Sequence, residues 1–266
     1  ANSRIHGRQT VARAIASEWI KIWTLRSTWI TSLVTIILTV LFGAGIAIST
    51  GQMEETRNGA KEAITSGLMF GQIAVAVLGS LVITGEYSSG QIRSSVPRRG
   101  RLLLAKASVL AVVSFILGAL STLLAWAISR PFLGSYAGSP TDWHYLGHFW
   151  GSGLAFAGIS LMALGLGVLM RSTAGSITIT LVLLFVIDIP LIIMTQKWAW
   201  AFKIMGCLPR ALSNAVSDPF QASTVWAADP DDLTHFLQHG HAVLAFAAWA
   251  IVPLVAAWFV FSRRDA

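Results

Sequence analysis

The chain has 266 residues, of which 55% are hydrophobic and 12% charged, with a mean hydropathy of +0.67. Soluble domains carry about 25% charged residues, so a water-soluble globular enzyme or binding domain is excluded. The net charge of +7 does not indicate nucleic acid, because the charges cluster in short segments between long neutral runs.

A spanning helix needs about 20 mostly apolar residues. Six stretches qualify: 28–50, 65–84, 102–128, 149–170, 174–195 and 241–262. The expected fold class is therefore all-α, a polytopic membrane protein with six transmembrane helices in one domain, 1–266. Residues 1–10 are polar. Over 11–26 the pattern is helical, with Val11, Ile15, Trp19, Ile22 and Trp23 on one stripe and Arg13, Ser17, Lys21 and Thr24 elsewhere. Such an amphipathic helix lies in the membrane interface; the other reading is a frayed start of the first span. Gly43-Ala44-Gly45 sits near the outer end of that span, and Gly67 and Gly71 form a small-xxx-small pair in the second.

Between spans two and three runs a dense polar loop, 85–101. It opens on Glu86-Tyr87, reaches Pro97, and continues into Arg98-Arg99-Gly100-Arg101. Residues 86–95 are expected to form a short helix that Pro97 stops. The three arginines fit lipid headgroups at least as well as a protein partner. Span three should end at Arg130-Pro131, and Tyr136, Trp143 and Tyr145 in the next external segment read as interface anchors. Arg171-Ser172-Thr173 makes a tight hairpin of spans four and five.

Span five carries Asp188 in the run Val186-Ile187-Asp188-Ile189-Pro190. Two readings stand: an intramembrane acid on the translocation path, or a displaced outer boundary loosened by Pro190. The external segment 196–240 is rich in aromatic residues, and Pro209 divides it into apolar pieces, 198–208 and 210–216. These predict a re-entrant or interfacial hairpin before the last span. Span six runs to Arg263-Arg264.

With a cytoplasmic N-terminus, thirteen of the nineteen Lys and Arg residues fall inside, and eight of the twelve acids fall outside. The positive-inside rule then places both termini in the cytoplasm. The first 27 residues lack the apolar core of a cleavable leader, so the first span is expected to stay in the mature protein. Cys207 is the sole cysteine and forms no intrachain disulfide.

No Gly-Lys dipeptide occurs, hence no phosphate loop ending in Gly-Lys-Ser/Thr. Nucleotide hydrolysis, if it powers transport, belongs to another subunit, and the chain is not expected to be an enzyme. His235 and His239, with His241 close by, and the pair His144 and His148 have helical i, i+4 spacing but lack a converging ligand set; a wet loop explains them better than a metal. An ion-coupled secondary transporter using Asp188 and an integral-membrane enzyme are the rival functions.

The loop motif Glu86-Tyr87-x-x-Gly90-x-Ile92-Arg93, followed by Pro97, Arg99 and Lys106, resembles the permease subunits of bacterial ABC transporters of the type-2 export class. Ser17-Glu18-Trp19-x-Lys21, Leu25-Arg26-Ser27 and Leu208-Pro209 extend the likeness. The resemblance implies that the loop is a coupling helix docking on a separate ATPase, with Glu86, Tyr87, Gly90, Ile92 and Arg93 at the contact. It implies that Glu18, Trp19, Lys21 and Trp23 lie on an interfacial connecting helix. It further implies an exporter of a drug, peptide antibiotic or lipid-like cargo in the bacterial plasma membrane. The expected partners are two ATPase copies holding ATP and Mg, a second permease subunit (homodimer or heterodimer) and the bilayer. No cofactor is expected on this chain, and no nucleic acid. The path is expected between spans one, two and five.

Overall fold

Backbone polar groups find no water inside a bilayer, so a chain this apolar has to satisfy them within helices. The computed structural model describes residues 11–54, 59–88, 99–218 and 239–263, and among these there is no strand. The helices are α1 (Val11–Thr24), α2 (Arg26–Gln52), α3 (Ala60–Ala63), α4 (Leu68–Ser88), α5 (Arg99–Leu133), α6 (Trp143–Met170), α7 (Thr173–Leu181), α8 (Asp188–Thr195), α9 (Ala199–Gly206), α10 (Pro209–Ser217) and α11 (His239–Arg263). Among the described residues, six stretches are long and apolar enough to cross a membrane: Arg26–Gln52, Ile64–Gly85, Gly100–Leu133, Trp143–Met170, Thr173–Thr195 and His239–Val260. The all-α, six-span expectation holds.

Span four, α6, is the hub: it packs against α4, α5, α7, α10 and α11. Lipid tails give apolar side chains no reason to leave them, so helix contact in a membrane rests on close packing and hydrogen bonds. The buried face of α6 is accordingly made of small residues, among them Gly151, Ser152, Gly153, Ala155, Gly158 and Ser160. The approach is backbone to backbone. A Cβ at Gly79 of α4 would overlap the Ser160 carbonyl, one at Gly118 of α5 the Ser152 carbonyl, and one at Gly151 the Val216 carbonyl. Around these contacts Phe156, Ile159, Met162 and Leu164 of α6 fill the core with Leu68, Val75, Leu78, Leu110 and Leu184.

Hydroxyl groups are absorbed locally. Thr31, Thr35 and Thr39 of α2 each donate to the carbonyl four residues back, at 2.7–2.8 Å. Ser176 Oγ donates to the Ala163 carbonyl at 2.9 Å and stands 2.9 Å from Ser80 Oγ, tying α7, α6 and α4 together. The hairpin of spans four and five closes as its sequence allows. Arg171 takes the left-handed conformation (φ 53°) and donates to the Gly167 carbonyl, and Ser172 Oγ caps α7 by accepting from the Gly175 N–H.

Two sequence expectations need correction. Arg130-Pro131 does not end span three, because α5 continues to Leu133; in the last turn the amide that proline lacks is a single helix bond. Tyr145 is not an exposed anchor: it is 1% exposed and packs edge-on to Trp126, with ring centroids 6.1 Å apart. On α1, Trp19 and Trp23 are exposed, whereas Glu18 and Ile22 are buried. The alternative of a frayed first span is also resolved. Leu25 breaks the helix in an extended conformation (φ −80°, ψ 120°), so α1 is separate from α2.

If backbone contact holds the hub, Gly79→Val has to push α4 from α6. Overpacking of this kind costs about 1–3 kcal/mol. We expect a lower apparent melting temperature in detergent. Gly45→Val is expected to be neutral, because a Cβ there would meet nothing within 4 Å. A thermal-shift comparison of the two variants checks this.

Candidate functional site

Two polar assemblies interrupt the apolar bundle, one at each end. The first begins with a break in span five. Pro190 offers no N–H to the Val186 carbonyl and its ring crowds that carbonyl. The helix relieves the conflict in the preceding turn: Val182–Val186 is a π-turn, in which Ile187 N–H donates to the Val182 carbonyl at 3.0 Å. Asp188 follows at the start of α8 and is 5% exposed. Its Oδ2 accepts from Arg210 Nη1 at 3.2 Å, while Oδ1 has no hydrogen-bond partner among the described residues.

Arg210 belongs to the segment after span five. That segment folds as two short helices, α9 and α10, divided at Leu208-Pro209, with Pro209 in the first turn of α10 where a missing amide is tolerated. Leu191, Ala201 and Leu208 pack α8 against this pair. Polar side chains from the spans then reach α10. Gln72 Nε2 of span two donates to Ser213 Oγ at 3.0 Å. His148 Nδ1 of span four lies 3.3 Å from the Ser217 carbonyl and 3.9 Å from Asp218 Oδ1. In span six, His239 Nδ1 lies 3.1 Å from the Ala215 carbonyl, and Trp249 Nε1 donates to the Cys207 carbonyl at 2.9 Å. Spans two, four, five and six thus all bond the hairpin. Burial pushes the Cys207 thiol above its ordinary range.

The second assembly lies where α1 meets α5. Glu18 Oε2 accepts from Lys106 Nζ at 2.6 Å, and the two side chains are 3% and 2% exposed. Its Oε1 accepts from Lys21 Nζ at 2.8 Å. At the Leu25 corner, Trp29 Nε1 donates to the Trp23 carbonyl at 2.9 Å, and the Trp23 and Trp29 rings meet edge-on at 5.1 Å.

The residues singled out in the sequence are distributed as follows. Glu86 and Tyr87 lie on the last turn of α4, which runs to Ser88. Gly90, Ile92 and Arg93, with most of the expected coupling helix, lie outside the described residues, as does His235. His144 is exposed and His148 turns to the hairpin; among the described residues no three His, Cys, Asp or Glu gather as metal ligands. Two partnerships escape the sequence reading. Lys106 reads there as a motif residue and a topology charge, and Glu18 as part of an interfacial helix, but neither as the other's counter-ion. Arg210 reads as one external cation among several, not as the partner of Asp188. The available signal is charge isolation: each acid stands alone in an apolar or basic neighbourhood, and a buried acid needs a cation.

A sequence profile described as ABC-2 family transporter protein matches residues 14–187. The chain belongs to this family. The match takes in both partners of the Glu18–Lys106 pair and all of spans two to four, and it ends one residue before Asp188. A comparison with curated proteins found no match. As a member of this family the chain is a membrane component of an ABC transporter, and it is multi-pass.

Removing Arg210 leaves a buried carboxylate unpaired. Because Arg210 is 30% exposed, the loss with Arg210→Ala is discounted from the fully buried case to about 1–2 kcal/mol. Asp188→Asn added to Arg210→Ala is expected to recover part of it. Unfolding of the purified protein by detergent titration measures both.

Proposed function

We propose that this permease is the membrane half of an ATP-driven exporter, whose ATPase engages the loop 85–101. The observation that carries this reading is mechanical. The helices that enter and leave the loop, α4 and α5, are both packed along the hub helix α6. A push on the loop therefore reaches the middle of the bundle through two rods and does not dissipate in a tether. Glu86 and Tyr87 stand at the end of one rod, and Gly90, Ile92 and Arg93 follow in the loop. A charge and an aromatic anchor there suit a pocket on the motor subunit.

Pairing of two permease subunits is supported by what the bundle leaves uncovered. Spans one, five and six are 28%, 22% and 17% buried over their apolar windows, against 67% for spans two and four. Span five presents Val182, Val186, Ile189 and Ile193 along one exposed stripe. A second subunit, of the same or another chain, covers part of this surface and lipid the rest, with two ATPase copies beneath. The path then runs between spans one, two and five, with Asp188 and Arg210 at its outer end beside the hairpin. In this reading the hairpin re-enters the outer leaflet. Long uncharged walls suit an amphipathic or hydrophobic cargo. The Lys/Arg asymmetry supports a cytoplasmic side for α1, the loop 85–101 and both termini, in keeping with a permease of the bacterial plasma membrane.

An affinity-tagged permease is expected to copurify with an ATPase subunit. Glu86→Ala combined with Tyr87→Ala is expected to release that subunit and to reduce ATP-dependent transport by about 10-fold or more. Absence of any ATPase, together with transport driven by a proton gradient alone, means that a secondary transporter is the correct description.

Cys207 reports orientation, since it is the one cysteine in the chain. A membrane-impermeant maleimide is expected to label it in intact cells. The thiolate is the reactive form, and a raised thiol pKa keeps its fraction small at neutral pH. Labelling should therefore quicken by about tenfold per pH unit on the alkaline side of neutrality. Labelling that requires permeabilised cells inverts the topology.

A further inference from the structure

We propose that Glu18 is a positioning residue that locks α1 to α5, so that α1 moves with the helix leaving the coupling loop. This rests on the coupling reading above but adds to it a transmission element.

The placement of α1 is otherwise weakly determined. Leu25 is extended, so α1 is not a rigid continuation of span one, and α1 packs on α5 far more than on α2. Of its described side chains, Glu18 and Ile22 are the buried ones, one helical turn apart on a single face. An apolar contact such as Ile22 tolerates sliding and rotation. The Glu18–Lys106 bond does not, because it joins one oxygen to one ammonium at 2.6 Å with both groups shut off from water. Lys21 occupies the other Glu18 oxygen at 2.8 Å and so fixes the carboxylate plane. Burying two charges returns little stability compared with apolar residues of similar size. What the charges add is a defined register between two helices.

Lys106 also stands at a telling place. It lies seven residues beyond Arg99, the first residue of α5 and the residue at which the described chain resumes within the loop. At 1.5 Å per residue this is about 10 Å of unbroken helix. Motion of the loop end is therefore delivered to Lys106 directly, and through Glu18 to a helix that carries Trp19 and Trp23 on its exposed face. The simpler reading is a static staple that merely helps α1 fold. The two differ in what a neutral substitution does to α1 during the ATPase cycle.

The test uses the full-length permease with its ATPase subunit in lipid nanodiscs, on a Cys207→Ser background. A nitroxide is placed on exposed α1 by Arg13→Cys, or on exposed α5 by Ser108→Cys. Trapping with ATP, Mg²⁺ and vanadate is expected to change both spectra in the parent. Glu18→Gln is expected to leave the Ser108 response intact and to reduce the Arg13 response by about fivefold or more. The exchanged pair, Glu18→Lys with Lys106→Glu, should restore at least about half of it. The lock is overturned if the Arg13 site responds fully in Glu18→Gln, or if it never responds in the parent while Ser108 does. It is also overturned if the apolar pair, Glu18→Leu with Lys106→Leu, restores the response as well as the exchanged pair does. That last comparison stands even where Glu18→Gln fails to assemble. A parent in which neither site responds refutes the coupling reading itself, and the lock with it.

Discussion

Backbone contact around span four is the constraint on which the rest of this bundle depends. Where Gly79 faces Ser160, Gly118 faces Ser152 and Gly151 faces Val216, no side chain separates the helices. Dispersion falls steeply with distance, so helices that touch along their backbones gain attraction that lipid tails cannot match. With spans two, three and six gathered on α6, 67% of its apolar window is buried. Spans one, five and six are the least buried, and their outer faces are left to lipid or a second subunit.

Close packing of small residues also sets where polarity is admissible. Serine and threonine are small enough to join the contact and can bond their own helix, as Thr35, Thr39 and Ser80 do. Among the described residues the buried charges sit at the two ends: Glu18 with Lys106 at one, and at the other Asp188 with Arg210 and Asp218 near His148; two of these contacts are close charge pairs. The pairs differ in kind. Glu18 has both oxygens occupied and is sealed from water. Asp188 has one oxygen engaged and a partner that is partly exposed, beside a π-turn that already departs from regular helix. The first has the character of a joint, the second that of an adjustable contact.

Much of the architecture is legible in the sequence because length and hydropathy are local. The six spans are found within a few residues, as is the division of the hairpin at Pro209. The tight connection at Arg171-Ser172-Thr173 is readable for the same reason, since capping is settled within one turn. The failures at the polar assemblies involve partners distant in sequence. Periodicity marks the apolar stripe of α1 but not the makeup of its buried face; there Lys106, 88 residues away, makes a carboxylate an inward residue beside Ile22. Tyr145 reads as an anchor because its neighbour Trp143 is one, yet the helix turns it beneath Trp126. Asp188 draws attention as an isolated acid, but its partner lies across a proline break that no period crosses.

A single rod runs from the hairpin assembly to the edge of the loop, which bears on how a stroke at one face is felt at the other. Span two runs from Gln72, bonded to Ser213 of the hairpin, to Ser88 at the edge of the loop. A 21-residue helix is about 30 Å long, stiff over that distance, and α4 carries no proline to bend it. Close contact with α6 at Gly79 prevents it from shifting sideways without repacking the hub, so tilt about that contact is the motion left to it. Tilt moves the two ends in opposite senses: as the loop end is drawn one way, Gln72 carries Ser213 the other. Because Ser213 and Arg210 share one turn of α10, such a displacement acts on the Asp188–Arg210 contact, the looser of the two charge pairs. Physical coupling along α4 thus requires no chain of relayed contacts, only a pivot at Gly79 and the Gln72–Ser213 bond.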